Sequence, residues 1–404
     1  LSEICHRIAA SPRHLHSDLL SLPDFEIGLE YQARDNSLMR KLMTPFLWTL
    51  ALLFIAPLTA RAQDPEREQE EPIRLKADLV SLTAGVAGRD GRALRTLKMN
   101  DFTVYENGVK QTISHFAATE EPFTLLLLLD ISGSTRDDIV LIRSAAKNFL
   151  AELRADDRVG VIVFSREIEM IAELTDTRAV VQTAIDRLLP TAGSESSRFT
   201  TNTGTSFYDA LFLAIAESPF KQIEGRKAIV CMSDGLDSTS LKAYKDVAQL
   251  VEKSQASVYF LQLNTEDAAL SGLLKPRSDP GYLNFSPSQI NRYFDTYDPE
   301  SLDRHRPRDF LPEDVKRDIN TGLYEIARRE VREMAERTGG RDYPVRTLAD
   351  LAGVYKQIAD DLRSQYSISY YPTNRDRDGR WRTIRVEVRA PNATVRTRSG
   401  YWAK

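Results

Sequence analysis

Asp130, Ser132 and Ser134 occupy alternate positions directly after five consecutive leucines, Leu125 to Leu129. One carboxylate and two hydroxyls in so short a stretch offer only hard oxygen donors. Such donors suit Mg²⁺, and equally Mn²⁺ or Ca²⁺, better than a soft metal. A single loop cannot surround an ion, so more oxygens are needed. Two other stretches supply them. Gly204-Thr205-Ser206 precedes a helical run from Phe207 to Ala216, and Asp234-Gly235 follows the apolar run Ala228 to Ser233. The candidate metal ligands are therefore Asp130, Ser132, Ser134, Thr205 and Asp234. Ser, Thr and Asp also favour helix N-caps, so ordinary capping is the competing explanation for each position taken singly.

The elements around these residues decide whether they can meet. Five leucines bounded by polar residues fit a strand buried on both faces. A helical pattern follows from about Asp137 to Leu153. Asp130 would then lie at the carboxyl end of a core strand, where open α/β sheets bind ligands. Further strands are expected over Arg158 to Phe164, Glu167 to Ala172 (an antiparallel edge), Ala228 to Ser233 and Ser257 to Leu263. Helices are expected over Thr177 to Leu188, Phe207 to Ala216, Leu241 to Gln255, Leu323 to Thr338 and Thr347 to Leu362. Gly339-Gly340 ends the fourth of these. Pro190 to Asn202 is a polar loop that delivers Thr205. Alternating strands and helices predict an α/β, doubly wound, mainly parallel sheet over residues 121–364.

With these five residues and their strand-end positions in place, the chain resembles a von Willebrand factor type A domain with a complete metal-ion-dependent adhesion site. The family pattern is Asp-x-Ser-x-Ser, a distant Thr, and an Asp after the fourth strand. Asp130, Ser132, Ser134, Thr205 and Asp234 match it in type and order. The resemblance implies a divalent cation, with Mg²⁺ first and Mn²⁺ or Ca²⁺ as alternatives. Ser132, Ser134 and Thr205 would ligate directly, and Asp130 and Asp234 directly or through water. Neutral hydroxyl ligands leave the ion electrophilic, and an open position would accept an Asp or Glu carboxylate of a protein partner. The competing functions are Mg²⁺-dependent hydrolysis, as in a phosphatase, and a structural envelope role in which the site is unused. Against hydrolysis, the sequence shows no phosphate-binding Gly-rich loop. It also lacks a second Asp two residues after Asp130. The chain is therefore expected to be a binding protein and not an enzyme.

The flanking segments predict β structure. Val80 to Val86, Phe102 to Tyr105 and Gln111 to Phe116 read as strands, with hairpin turns at Arg89-Asp90-Gly91 and Asn107-Gly108. Residues 73–119 are too few for a core of their own. Gln365 to Tyr371, Trp381 to Val388 and Ala393 to Thr397 read as partner strands. The expectation is one β-sandwich built from residues 73–119 and 365–404, with the α/β domain inserted in it. This arrangement resembles a bacterial family of exported proteins. The stretch Asp101 to Gly108 ahead of the domain and Tyr366 to Pro372 after it carry that likeness.

Residues 1–38 read as a non-native or untranslated extension. Residues 39–62 have the basic start, apolar run and Ala60-Arg61-Ala62 of a secretory signal peptide, with an uncleaved anchor as the alternative. Residues 63–72 form a polar linker. The expected location is periplasmic or extracellular, with membrane contact only through an uncleaved anchor. Beyond the signal segment only Cys231 remains, so no disulfide can form within the mature chain, and Cys231 reads as a core residue. Only His115 and His305 remain there, which disfavours zinc sites and Ser-His-Asp triads. The net charge of −4 disfavours nucleic acid as a partner.

Three other features invite a role. Residues 264–320 separate the fifth expected strand from its helix, as a lid beside the cation or as an insertion without a binding role. Asp209 and Asp237 either orient the ligands or serve as caps and surface charge. Asn374-x-Asp376-x-Asp378-Gly379 imitates an EF-hand start, but its twelfth position is Arg385. A charged hairpin turn at Asp378-Gly379 is the better reading.

Overall fold

The leucine run becomes a central strand of a six-stranded sheet. The computed structural model describes residues 79–403 apart from 91, 119–121, 134, 136–138, 189–203, 224, 280–281 and 348–349. In chain order the strands are β1 (Val80–Ala87), β2 (Phe102–Glu106), β3 (Val109–Gln111), β4 (Ile113–Ala118), β5 (Phe123–Asp130), β6 (Arg158–Phe164), β7 (Ile168–Thr175), β8 (Arg226–Ser233), β9 (Ser257–Leu263), β10 (Arg341–Val345), β11 (Gln365–Tyr370), β12 (Trp381–Val388), β13 (Thr394–Arg396) and β14 (Gly400–Trp402). The helices are α1 (Ile139–Glu152), α2 (Arg178–Asp186), α3 (Phe207–Phe212), α4 (Tyr244–Lys253), α5 (Glu266–Leu273), α6 (Pro287–Tyr297), α7 (Glu313–Arg337) and α8 (Leu351–Leu362).

The α/β sheet has the order β10-β9-β8-β5-β6-β7. All its pairings are parallel except β6–β7, which makes β7 the antiparallel edge. Alternate side chains of a strand point to opposite faces, so the leucines of β5 feed two cores. Leu125, Leu127 and Leu129 pack with Phe149 of α1, Val181 of α2 and Tyr355 of α8. Leu126 and Leu128 pack with Phe207 of α3, Val251 of α4 and Met334 of α7. Helices on both faces explain why five consecutive leucines are each fully buried. Cys231 is likewise buried and free.

The flanking segments form two four-stranded antiparallel sheets, β13-β1-β11-β4 and β14-β12-β2-β3. One core joins them: Val80, Leu82, Tyr366 and Ile368 from the first sheet meet Phe102, Val104, Ile384 and Val386 from the second. The hairpin turn at Asn107-Gly108 is present, with positive φ at both residues (48° and 80°), as a two-residue hairpin requires. Residues 371–380 differ from expectation. They cross from β11 to β12, strands of different sheets, and so are not a hairpin turn. The Asp378 carboxylate accepts from the Arg380 amide and the buried Arg382 instead.

The segment 264–320 carries structure of its own. It contains α5, α6 and the first turns of α7, which starts at Glu313 and not near Leu323. Leu273, Phe285, Ile290, Phe294, Leu311, Ile319 and Leu323 form a separate small core. A capping box of Ser286 and Gln289 starts α6, with Pro287 at its first position. Among the described residues no helix is long and apolar enough to cross a membrane.

Candidate metal centre

In sheet order β5 lies between β8 and β6. The chain leaves β5 for β6 on one side and later returns to β8 on the other. The carboxyl ends of β5 and β8 thus flank the point where the winding reverses, the ligand-binding crevice of open α/β sheets. Asp130 is the last residue of β5, and Asp234 directly follows β8. Ile131 extends the pairing with its amide on the Phe164 carbonyl (2.8 Å). Thr135 then draws the loop back, its single hydroxyl proton shared between the Asp130 carbonyl (2.9 Å) and the Ser132 carbonyl (3.1 Å). Ser132 is buried in this turn. Ser134 lies outside the described residues.

Thr205 arrives on a different loop, which is sewn to both neighbouring strand ends. The Ser206 amide donates to the Ser165 carbonyl just beyond β6 (2.7 Å), and the amides of Ser238 and Thr239 donate to the Thr205 carbonyl (2.9 and 3.2 Å). The Thr205 amide donates to Ser238 Oγ (2.8 Å). Gly204 is required here. Its φ is +139°, and a Cβ would stand 2.7 Å from Thr239 Cγ2.

Asp237 and Asp209 complete the stitching. Ser206 is the N-cap of α3, but its side chain makes no capping bond. The cap comes from the other loop: Asp237 Oδ1 accepts from the amides of Phe207 (3.0 Å) and Tyr208 (3.5 Å). Asp209 reciprocates, accepting from the amides of Leu241 and Lys242 (both 2.9 Å). Asp237 caps a helix and Asp209 holds the turn ahead of α4, and the bonds of each span between the Thr205 side and the Asp234 side. They therefore also fix the spacing of the two loops. Burial pushes the Asp237 carboxyl up to about 6, against hydrogen bonds from Ser240 and the Tyr208 amide and the charge of Arg292.

The electrostatics centre on Asp130. It accepts from the Ser132 amide (2.9 Å) and from the Ser233 hydroxyl (2.6 Å). Burial pushes its pKa up to about 7, the charge of Asp234 adds to the rise, and the hydrogen bonds from Ser132 and Ser233 oppose it. Asp234 is also buried, with Oδ1 accepting from the Leu236 amide (3.0 Å) and Oδ2 from the Thr265 hydroxyl (2.7 Å). Two adjacent buried carboxylates repel, and buried charge demands a partner. Hydroxyls on the neighbouring loops add neutral oxygens. This donor set fits a hard divalent cation. Among the described residues no group of three or more His, Cys, Asp and Glu could hold a metal.

The structure thus brings Asp130, Ser132, Thr205 and Asp234 to one sheet edge. Sequence inspection missed Thr135, Ser233, Ser238 and Thr265, which hold those residues. Ser233 and Thr265 carried a faint signal, as hydroxyls just at or after the ends of apolar strands. Ser238 carried none.

No curated protein matches the chain. Several solved structures share likeness at low identity. Proximal thread matrix protein 1 from the mussel byssus is 12% identical, with a TM-score of 0.37 over 67% of this chain and 48% of that one. A further structure of that mussel protein has zinc in its adhesion-site motif. The conserved hypothetical protein BatB from Bacteroides thetaiotaomicron is 17% identical, with a TM-score of 0.33 over 59% of this chain and 98% of that one. A von Willebrand factor type A protein from Catenulispora acidiphila is 12% identical, with a TM-score of 0.39 over 76% and 75% of the two chains. The match that speaks to this sequence directly is to a family model: residues 125–236, from the leucine run to just past Asp234, match the von Willebrand factor type A domain, and the chain carries such a domain there.

Proposed function

We propose that this chain is an exported, metal-dependent protein-binding protein. A divalent cation, Mg²⁺ or else Mn²⁺ or Ca²⁺, would be held by Asp130, Ser132, Ser134, Thr205 and Asp234. When bound, the cation supplies a Lewis-acidic position for an Asp or Glu carboxylate of a partner. The chain's own contribution is positional. Ser233 and the Ser132 amide fix the Asp130 carboxylate, Thr265 and the Leu236 amide fix Asp234, and Ser238 fixes the Thr205 backbone. The observation that carries the proposal is the pair of buried carboxylates at the winding reversal, where burial and the charge of Asp234 both raise Asp130. Such a pair is costly unless a positive ion joins it.

Adhesion or complex assembly follows from an ion with a free position, as type A domains generally bind protein ligands. Export rests on the composition of residues 39–62, which lie outside the described residues. The test is calorimetric titration of the purified chain with Mg²⁺ and Mn²⁺, alongside Asp130→Ala and Thr205→Ala. Saturable binding by the wild type, lost in both variants, is the expected result. Capture of a partner that is abolished by chelator and by blocking the partner's acidic residues would complete it. Turnover of a phosphate ester dependent on Asp130 would replace adhesion with hydrolysis.

A further inference from the structure

Thr265 forgoes the bond its position would ordinarily make. It is the N-cap of α5, where a threonine hydroxyl normally accepts from an amide of the first turn, yet it makes no capping bond. Its hydroxyl donates to Asp234 Oδ2 at 2.7 Å instead. The same oxygen lies 2.7 Å from the Tyr324 hydroxyl on α7. A hydroxyl has one proton. Since Thr265 spends its proton on Asp234, Tyr324 must donate to Thr265. The chain of donors therefore runs from Tyr324 through Thr265 to the Asp234 carboxylate. All three residues are buried.

Thr265 and Tyr324 bracket the segment 264–320, and that segment also reaches the Thr205 side. Ser288, at the start of α6, donates to the Ser238 carbonyl (2.9 Å), and Ser238 Oγ accepts from the Thr205 amide. Further along α6, Arg292 donates to the Tyr208 hydroxyl and pairs with Glu330 of α7, and Tyr208 donates to the same carboxylate. Tyr208 lies in the first turn of the helix that follows Thr205. One inserted segment thus holds the acidic ligand from one side and the hydroxyl ligand from the other.

We propose that the segment 264–320 is a clamp on the metal centre, with Thr265 and Tyr324 as positioning residues for Asp234, so that ion occupancy and the order of the segment are coupled. This rests on the cation reading above. A carboxylate aimed by a donor on each oxygen presents its remaining lone pairs in a fixed direction. Removing such an outer donor from a metal site costs about 10- to 100-fold in metal affinity. Coupling is reciprocal, so Mg²⁺ should in turn protect the segment.

The experiment titrates Mg²⁺ into the full wild-type chain and into Thr265→Val, Tyr324→Phe and Thr265→Ser, each first shown by its melting curve to be folded without ion. We expect Thr265→Val and Tyr324→Phe to bind Mg²⁺ about 10- to 100-fold more weakly, and Thr265→Ser, which keeps the hydroxyl, to bind like the wild type. Affinity in Thr265→Val and Tyr324→Phe within twofold of wild type overturns the clamp while leaving the metal centre standing. A wild type that takes up no Mg²⁺ overturns both. Should the variants not fold, amide hydrogen exchange of the wild type decides alone. Slower exchange in α5 and α6 on adding Mg²⁺ supports the clamp, and unchanged exchange overturns it.

Discussion

Asp130 makes pH the sharpest perturbation of this protein. Its carboxyl is held at about 7 by burial and by the charge of Asp234, whereas an unfolded aspartate titrates near 3.8. A cation competes with the proton for this group. With a pKa of about 7, roughly nine-tenths of Asp130 is ionised at pH 8 and roughly one-tenth at pH 6. Mg²⁺ affinity should therefore fall about tenfold from pH 8 to pH 6, or about 1.4 kcal/mol. The ion-free protein should respond with the opposite sign. The folded state binds more protons than the unfolded state between the two pKa values. The stability gained from protonating Asp130 is complete below the unfolded value and lost as pH rises through about 7. The unfolding free energy of wild type minus that of Asp130→Asn should thus drop by about 1.4 kcal/mol from pH 6 to pH 8 without ion. Calorimetric titration at pH 6, 7 and 8 and paired chemical denaturation measure both. Affinity that is flat over this range, together with a wild-type-to-Asp130→Asn difference that does not move, would refute the claim that burial and Asp234 raise Asp130.

Other substitutions separate the parts of the account. Gly204→Ala places a Cβ against Thr239 at a φ of +139°; it should cost about 1–3 kcal/mol and weaken Mg²⁺ binding, as denaturation and titration would show. Asp237→Ala removes the cap that the Asp234 side supplies to α3, with an expected loss of about 1 kcal/mol in denaturation and weaker ion binding in the same protein. Arg382→Ala leaves the buried Glu106 without its 3.7 Å cation. It should destabilise by about 3 kcal/mol in denaturation while leaving Mg²⁺ affinity of the folded protein unchanged, because this pair sits in the β-sandwich.

Where periodicity was strong, the fold could be read from the chain. The leucine run, Trp381 to Val388 and the Asn107-Gly108 turn each carry a local pattern that tertiary packing did not override. β10 was not foreseen because its five residues include Arg341, Asp342 and Pro344. It is an edge strand bonded only to β9, and an edge tolerates a proline. The structure of 264–320 was hidden by its polar, proline-containing composition, although Ser286 to Gln289 spells a capping box that could have marked α6. At the site, the ligand types and their strand-end positions were legible. The residues that aim them were not. Tyr324 reaches Asp234 through Thr265, 59 residues earlier in the chain, and no spacing rule links positions that meet only in three dimensions.

The most direct test of the central claim is the anomalous scattering of Mn²⁺ in crystals of the protein. A single peak bonded to oxygens of Ser132, Ser134 and Thr205 and adjacent to Asp130 and Asp234, absent in Thr205→Ala, is the predicted result. An ordered structure at saturating Mn²⁺ with no peak at the carboxyl ends of β5 and β8 would contradict it.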